Sequence, residues 1–181
     1  MLVKDTKNIA LLNKKYCLIQ DALSLLQDTD SSVIILNICN NMNTFGAGFN
    51  KMIADAFPVV KENYHLIGPS KLKTALGYTQ FVKAKYNPKY KNNIIIANMI
   101  CQTGIISDRN TRPLNYFFLG NCLSKVQNFI KNYNSEYDTK VHLYSPKFHM
   151  GILGAHWPFI QEILLDTIHK PTYIQVYERY S

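Results

Sequence analysis

The apolar run Val33-Ile34-Ile35-Leu36, with the polar loop and small-residue turn behind it, most narrows the folds open to this chain. The run reads as a buried strand. Polar Asn37, Asn40, Asn41, Asn43 and Thr44 come next, then the turn Gly46-Ala47-Gly48. Beyond the turn, Phe49, Ile53 and Phe57 recur at the spacing of one helix face. Pro58 disfavours helical geometry at Phe57 and ends that helix. A strand therefore delivers a polar loop and a small-residue turn to a helix N-terminus. Backbone N–H groups there lack intrahelical acceptors and the helix dipole adds partial positive charge, which suits an anion such as a phosphate. The glycines beside Ala47 allow a ligand close to the backbone. The spacing matches neither GxxxxGK[ST] nor GxGxxG, so a P-loop and a dinucleotide fingerprint of that kind are excluded.

The rest of the chain repeats the alternation of strand and helix. Residues 9–12 and 16–20 read as two strands joined by a turn at Asn13-Lys14-Lys15, with Asp21 as an N-cap to a short helix over 22–26. Helices are predicted over 59–67, 114–133 and 157–168, and strands over 75–86, 93–102, 141–144 and 173–180. The pattern implies one domain over residues 1–181, an α/β fold built as a three-layer α/β/α sandwich around a mixed, mostly parallel sheet. In such sheets ligands bind off the carboxyl ends of the strands. Polar loops come after apolar strands at 37–48, 102–104 and 146–156, and parallel neighbours would bring them to one pocket.

Charge narrows the ligand. Lys and Arg number 20 against 12 acids, a net charge of +8, which favours polyanions or phosphorylated small molecules. The densest basic cluster, residues 83–91, lies among tyrosines in a hairpin or loop and reads as a solvated basic face, while the basic surface as a whole leaves a nucleic-acid partner open. Cys17, Cys39, Cys101 and Cys122 are far apart with no CxxC spacing, as expected of free thiols in a reducing compartment rather than a zinc site. No leader pattern or spanning-length apolar run appears, so a soluble, cytoplasmic protein is expected, and the cysteine spacing gives no reason to expect a metal or other cofactor.

Several pieces, in order, carry a family likeness: Gln20-Asp21-Ala22, Asn37 with Asn40-Asn41 and Gly46-Ala47-Gly48-Phe49, Leu76-Gly77, residues 97–102, residues 113–116, and Pro146-Lys147 with Gly151 and Trp157. Together they make the sequence similar to the macro domains, which bind ADP-ribose; for a chain of this size the resemblance implies a monomer. Within these it resembles the branch of yeast-type and phage ADP-ribose-1''-phosphate phosphatases and terminal ADP-ribose–glutamate hydrolases. The resemblance implies that Asp21 accepts a hydrogen bond from the adenine amino group, with the backbone of Gln20 and Ala22 at the ring. It implies that Asn40 bonds the distal ribose, with Asn37, Thr44 and Gln102 nearby. Gly46, Ala47, Gly48 and Phe49 would form one loop around the pyrophosphate. Lys147, Phe148, Met150, Gly151, Ile152, Leu153, Gly154 and Ala155 would form the other. Tyr177 or Phe148 is the candidate to pack on a ring.

The departures are chemical. Asn37 stands where the family often has His, and Asn41 where it often has Asp, and neither amide is a general base. Lys83 matches the lysine that forms a covalent adduct in the glutamate–ADP-ribose hydrolases, but its partner acid is replaced by Leu153. His149 and His156 remain as proton carriers, with Asn40 and Asn41 orienting ribose and water, while His65 and His142 read as structural. The resemblance leaves three activities: removal of the 1''-phosphate of ADP-ribose 1''-phosphate, removal of ADP-ribose from protein or nucleic acid, or binding of ADP-ribose without turnover.

Overall fold

The computed structural model describes residues 10–137, 140–148, 154–169 and 173–179. Six strands form one sheet in the order β1-β6-β5-β2-β4-β3: β1 (Ala10–Cys17), β2 (Ser32–Asn40), β3 (Thr79–Asn87), β4 (Asn92–Gln102), β5 (Val141–Pro146) and β6 (Tyr173–Arg179). All neighbours run parallel except β3, which pairs antiparallel with β4. Every residue of β2 and β4 is buried. That burial is why both read as near-continuous apolar runs: strands covered on both faces have no solvent side to mark with polar residues.

Side chains at alternate positions divide the core. Ile34, Leu36, Ile38, Ile95, Ala97 and Met99 pack under α5 (Tyr116–Tyr137) and α6 (Trp157–Thr167). Val33, Ile35, Cys39, Ile94, Ile96 and Ile100 pack under α1 (Leu18–Asp28), α2 (Gly48–Ala56), α3 (Pro58–Leu66) and the short α4 (Pro69–Leu72). The three-layer α/β/α architecture is thus the one the alternation of elements predicts. Phe57 caps α2, and its N–H donates to Ile53 O at 2.8 Å, the helix end that Pro58 dictates. Cys39, Cys101 and Cys122 are buried free thiols and Cys17 is half-buried. Among the described residues no helix is long and apolar enough to cross a membrane.

The start of the chain differs from expectation. Residues 10–17 are one strand, not two, and α1 begins immediately at Leu18 with Cys17 as its N-cap. Asn13-Lys14-Lys15 carries turn composition, but β1 is the outer strand of the described sheet and pairs with β6. Polar residues such as Asn13 and Lys14 are tolerated at such an edge without breaking the ladder. Asp21 consequently sits inside the first turn of the helix rather than at its cap.

A row of amides crosses the sheet on the α1–α4 face. Asn37 Nδ2 donates to Asn98 Oδ1 at 2.9 Å, Asn98 Nδ2 to Gln80 Oε1 at 3.1 Å, and Gln80 Nε2 to the Asn63 carbonyl of α3 at 2.9 Å. Among the described residues Asn37 Oδ1 is buried without a protein partner, a burden of about 1–3 kcal/mol for a group of this kind. The row fixes β2, β4 and β3 side by side and ties them to the helix that walls the site.

Candidate functional site

The carboxyl ends of β2 and β4 meet at Asn40 and Gln102, which are register partners. From Asn40 the chain must leave the sheet and reach α2 within a few residues, and its side chain organises that exit. Asn40 Nδ2 donates to Thr44 O (2.9 Å) and Thr44 Oγ1 (2.8 Å), while its Oδ1 accepts from the Met42 N–H (2.8 Å). Tyr64 of α3 donates its hydroxyl to Asn40 O at 2.7 Å and approaches Asn40 Oδ1 at 3.1 Å. Burial, and then the neighbouring Cys39, push the Tyr64 hydroxyl well above the usual phenol range, so it stays protonated as a donor. Asn40 therefore acts as the brace of loop 41–44, its amide spent on the loop itself. Asn41 braces the other side. Its N–H donates to Gln102 O at 3.0 Å and its Oδ1 accepts from the Gly104 N–H at 2.9 Å.

Over these braces lies a cavity of about 580 Å³, lined by Asn40, Thr44, Phe45, Gly46, Ala47, Asn50, Lys61, His65, Gln102, Ile105 and Ile106. That is the size of an ordinary small-molecule site. A second cavity of about 550 Å³ begins at the adjacent Gly48 and is lined by Ile19, Gln20, Lys51, Met52, Asp55 and Ala56. The turn 46–48 and the start of α2 stand between the two. Gly48 takes the left-handed φ of 55° that lets the chain enter the helix there. Among the described residues no side chain caps α2. Its first-turn amides and dipole end are therefore not neutralised by a capping oxygen.

Beside the second cavity, Asp21 is half-buried on α1 and its carboxylate accepts a hydrogen bond from Tyr177 Oη. Tyr177 is fully buried, and its hydroxyl also lies 3.0 Å from Gln175 Oε1. Burial, then the Asp21 hydrogen bond, hold that hydroxyl protonated far above neutral pH. Tyr177 thus aims Asp21 from inside the core. Phe148 is likewise buried, under α5 and α6, and neither ring is exposed for stacking on a ligand. Ala22 and Ala155 are core residues, and Phe49 is half-buried against the α1–α4 side. Lys147 pairs with Glu178 at 3.0 Å and its N–H donates to Tyr177 O.

The remaining candidates are dispersed. His156 is exposed at the N-cap of α6, its ring beside Phe159 and its N–H donating to Tyr116 Oη at 2.9 Å, and it does not line either cavity. Lys83 pairs with Ile95, seven residues before Gln102 on β4, which sets it roughly 20 Å down the strand from the first cavity. His149, Met150, Gly151, Ile152 and Leu153 lie outside the described residues.

The cavity also contains residues that no sequence pattern singles out. His65, which reads as structural from the sequence, lines it together with Lys61, one helical turn earlier on α3. His65 Nδ1 is 2.9 Å from Asn43 Oδ1. An amide oxygen only accepts, so Nδ1 is the donor in this contact, which orients the ring. Asn50 is fixed by donating to Ile38 O at 3.1 Å. Ile105 and Ile106, 53% and 38% exposed, form the outer lip. Asn110 holds that lip through Nδ2 bonds to Thr103 O and Ile105 O.

No protein-family model and no curated protein sequence matches the chain. Solved structures do. A Bacteroides thetaiotaomicron protein of unknown function superposes with a TM-score of 0.73 at 22% identity, covering 93% of this chain and 97% of that one. The macrodomain of Mycobacterium tuberculosis DarG gives 0.64 at 14% identity, covering 92% and 96%. Thermosipho africanus DarTG, solved in complex with ADP-ribose, gives 0.56 at 14% identity, covering 80% of this chain and 37% of that one. The chain therefore has the macrodomain fold.

Proposed function

On that fold, we propose that the protein binds ADP-ribose across the turn 46–48 and hydrolyses a phosphate ester from its distal ribose. The observation that carries the reading is the pair of cavities flanking an uncapped helix start. A ligand with two ribosyl halves joined by a pyrophosphate matches that layout. The adenosine half takes the cavity at Gln20, with the Asp21 carboxylate accepting from the adenine amino group. The pyrophosphate lies over Gly46, Ala47 and Gly48, where backbone amides and the dipole of α2 oppose its charge. The distal ribose fills the Asn40 cavity, under Thr44, Gln102 and the isoleucine lip.

Lys61 and His65 favour the phosphatase reading over the alternatives, because a cation and a proton carrier on the outer wall suit an anionic substituent at the end of the ribose. In the proposed step, water attacks phosphorus, the new P–O bond forms as the ribosyl C–O–P linkage opens at phosphorus, and the water proton ends on the departing ribosyl oxygen. His65 Nε2 shuttles that proton, while Lys61 balances charge on the phosphoryl oxygens. Asn40 and Asn41 contribute by holding the loop and the lip in place.

Phosphate release from ADP-ribose 1''-phosphate tests this. His65→Ala is expected to lower kcat about 100-fold or more, and Lys61→Ala to act chiefly on KM. Turnover unchanged in His65→Ala would rule out His65 as the proton carrier. Tight ADP-ribose binding by the wild type with no phosphate released at any pH would make the protein a binding module. Turnover of an ADP-ribosylated protein or nucleic acid that disappears in Lys83→Ala would instead favour the hydrolase reading.

A further inference from the structure

The end of the sheet opposite the ADP-ribose site carries a concentration of positive charge. Residues 79–92 contain four lysines, Lys83, Lys85, Lys89 and Lys91, and no Asp or Glu; the acids that flank this end are Asp28 and Asp30, next to the Leu26 and Thr29 carbonyls to which Asn87 and Asn92 donate. All four lysines fall on β3 and the hairpin that joins it to β4. β3 is an edge strand, a position where lysines also serve to discourage pairing with other chains. Edge protection alone accounts for exposed lysines on a flat strand. It does not account for the shape found here.

Lys83, Lys85 and Lys91 line a cavity of about 550 Å³ together with Ala84, Tyr86 and Asn93. The register of β3 against β4 shifts between Lys83 and Lys85, so the strand bulges at Ala84 inside this cavity. A bulge re-aims the side chains around it. Tyr86 is 55% exposed at the cavity, and at the hairpin tip Lys89 Nζ stands 4.4 Å from the centre of the Tyr90 ring. Lys91 closes the hairpin at φ 53°, the left-handed conformation that glycine or asparagine adopts at lower cost. A lysine is therefore held where the turn itself would prefer a different residue.

We propose that this concave, lysine-lined and tyrosine-bearing face binds a single-stranded nucleic acid. Lysines track the phosphates, and Tyr86 offers a face on which a base stacks, the combination that single strands need and duplexes do not. The face is distinct from the ADP-ribose site. Lys85 pairs with Ile94, eight residues before Gln102, which separates the two regions by roughly 25 Å along β4. Binding at this face is independent of the activity proposed for the ADP-ribose site.

Anisotropy of a labelled single strand of about 15 nucleotides, titrated with the full chain at several salt concentrations, tests it. Three phosphate contacts predict that log K falls against log salt with a slope of roughly −2. Lys85→Glu combined with Lys91→Glu should weaken binding at least about tenfold and flatten the slope. Tyr86→Ala should weaken binding about fivefold or more, and both variants should keep wild-type affinity for ADP-ribose. Lys91→Gly separates turn from ligand: its melting temperature should hold or rise while its affinity for the strand falls. The proposal is overturned by salt-independent binding, by affinity unchanged in the double variant, or by association with phosphatidylserine vesicles but not with the oligonucleotide.

Discussion

Gly154→Ala is expected to lower the melting temperature by roughly 5–15 °C and to abolish ADP-ribose binding at temperatures where the wild type is saturated. Gly154 has φ 57°, and a Cβ built on it would stand 2.1 Å from Thr111 O and 2.7 Å from Arg112 Cα. Both obstacles are backbone, so no rotamer change relieves them. Overpacking of this kind costs about 1–3 kcal/mol, and the left-handed φ adds about 1 kcal/mol for a residue with a Cβ. At about 2–4 °C per kcal/mol for a chain of this size, the sum gives the predicted shift. Binding suffers because Gly154 seats the entry to α6 directly on residues 111–112, the end of the loop whose Ile105 and Ile106 form the cavity lip. Thermal unfolding monitored by circular dichroism reads the first effect. A melting temperature within about 2 °C of wild type would show that the contact is not maintained in solution.

Asn40→Ala is expected to leave a folded protein whose affinity for ADP-ribose is at least about 100-fold weaker. The substitution removes both amide bonds to Thr44 and the acceptor for Met42 N–H and Tyr64 Oη. Loop 41–47 then has to be ordered by the ligand, and fixing even two or three residues costs about 1–2 kcal/mol each, or about 100-fold at 1.4 kcal/mol per decade. Stability itself should fall by about 2 kcal/mol, since Tyr64 Oη keeps the Asn40 carbonyl at 2.7 Å. Tyr64→Phe, which keeps the ring against Phe45 at 5.2 Å, should weaken binding less than Asn40→Ala. Calorimetry on the three proteins orders them. Wild-type affinity in folded Asn40→Ala would mean that the loop does not depend on this side chain.

Burial decides which parts of the fold are legible in the sequence. β2 and β4 are readable because both faces of each are buried, which leaves a continuous apolar run. β1 reads as two strands because an edge strand tolerates the polar residues Asn13 and Lys14 that elsewhere signal a turn. The turn 46–48 announces itself through its small residues before an amphipathic helix, and the family likeness points to Asp21. Nothing local marks Lys61, His65, Ile105 or Ile106. They reach the cavity only because the sheet order sets β4 beside β2, so that the loop after Gln102 faces the loop after Asn40, and because Tyr64 pins α3 to Asn40. His65 looks structural in the sequence for the same reason: its partner, Asn43, lies 22 positions away in the chain. Lys83 matches a motif position, yet its place on β3 puts it with Lys85 and Lys91 at the far end of the sheet.

Calorimetric titration of the full chain with ADP-ribose, with AMP and ATP as controls, tests the central claim most directly. The account predicts saturable micromolar or tighter binding that is much weaker for both controls and lost in Asp21→Ala. No heat and no competition at millimolar ADP-ribose would contradict it, leaving a macrodomain fold whose paired cavities serve a different ligand.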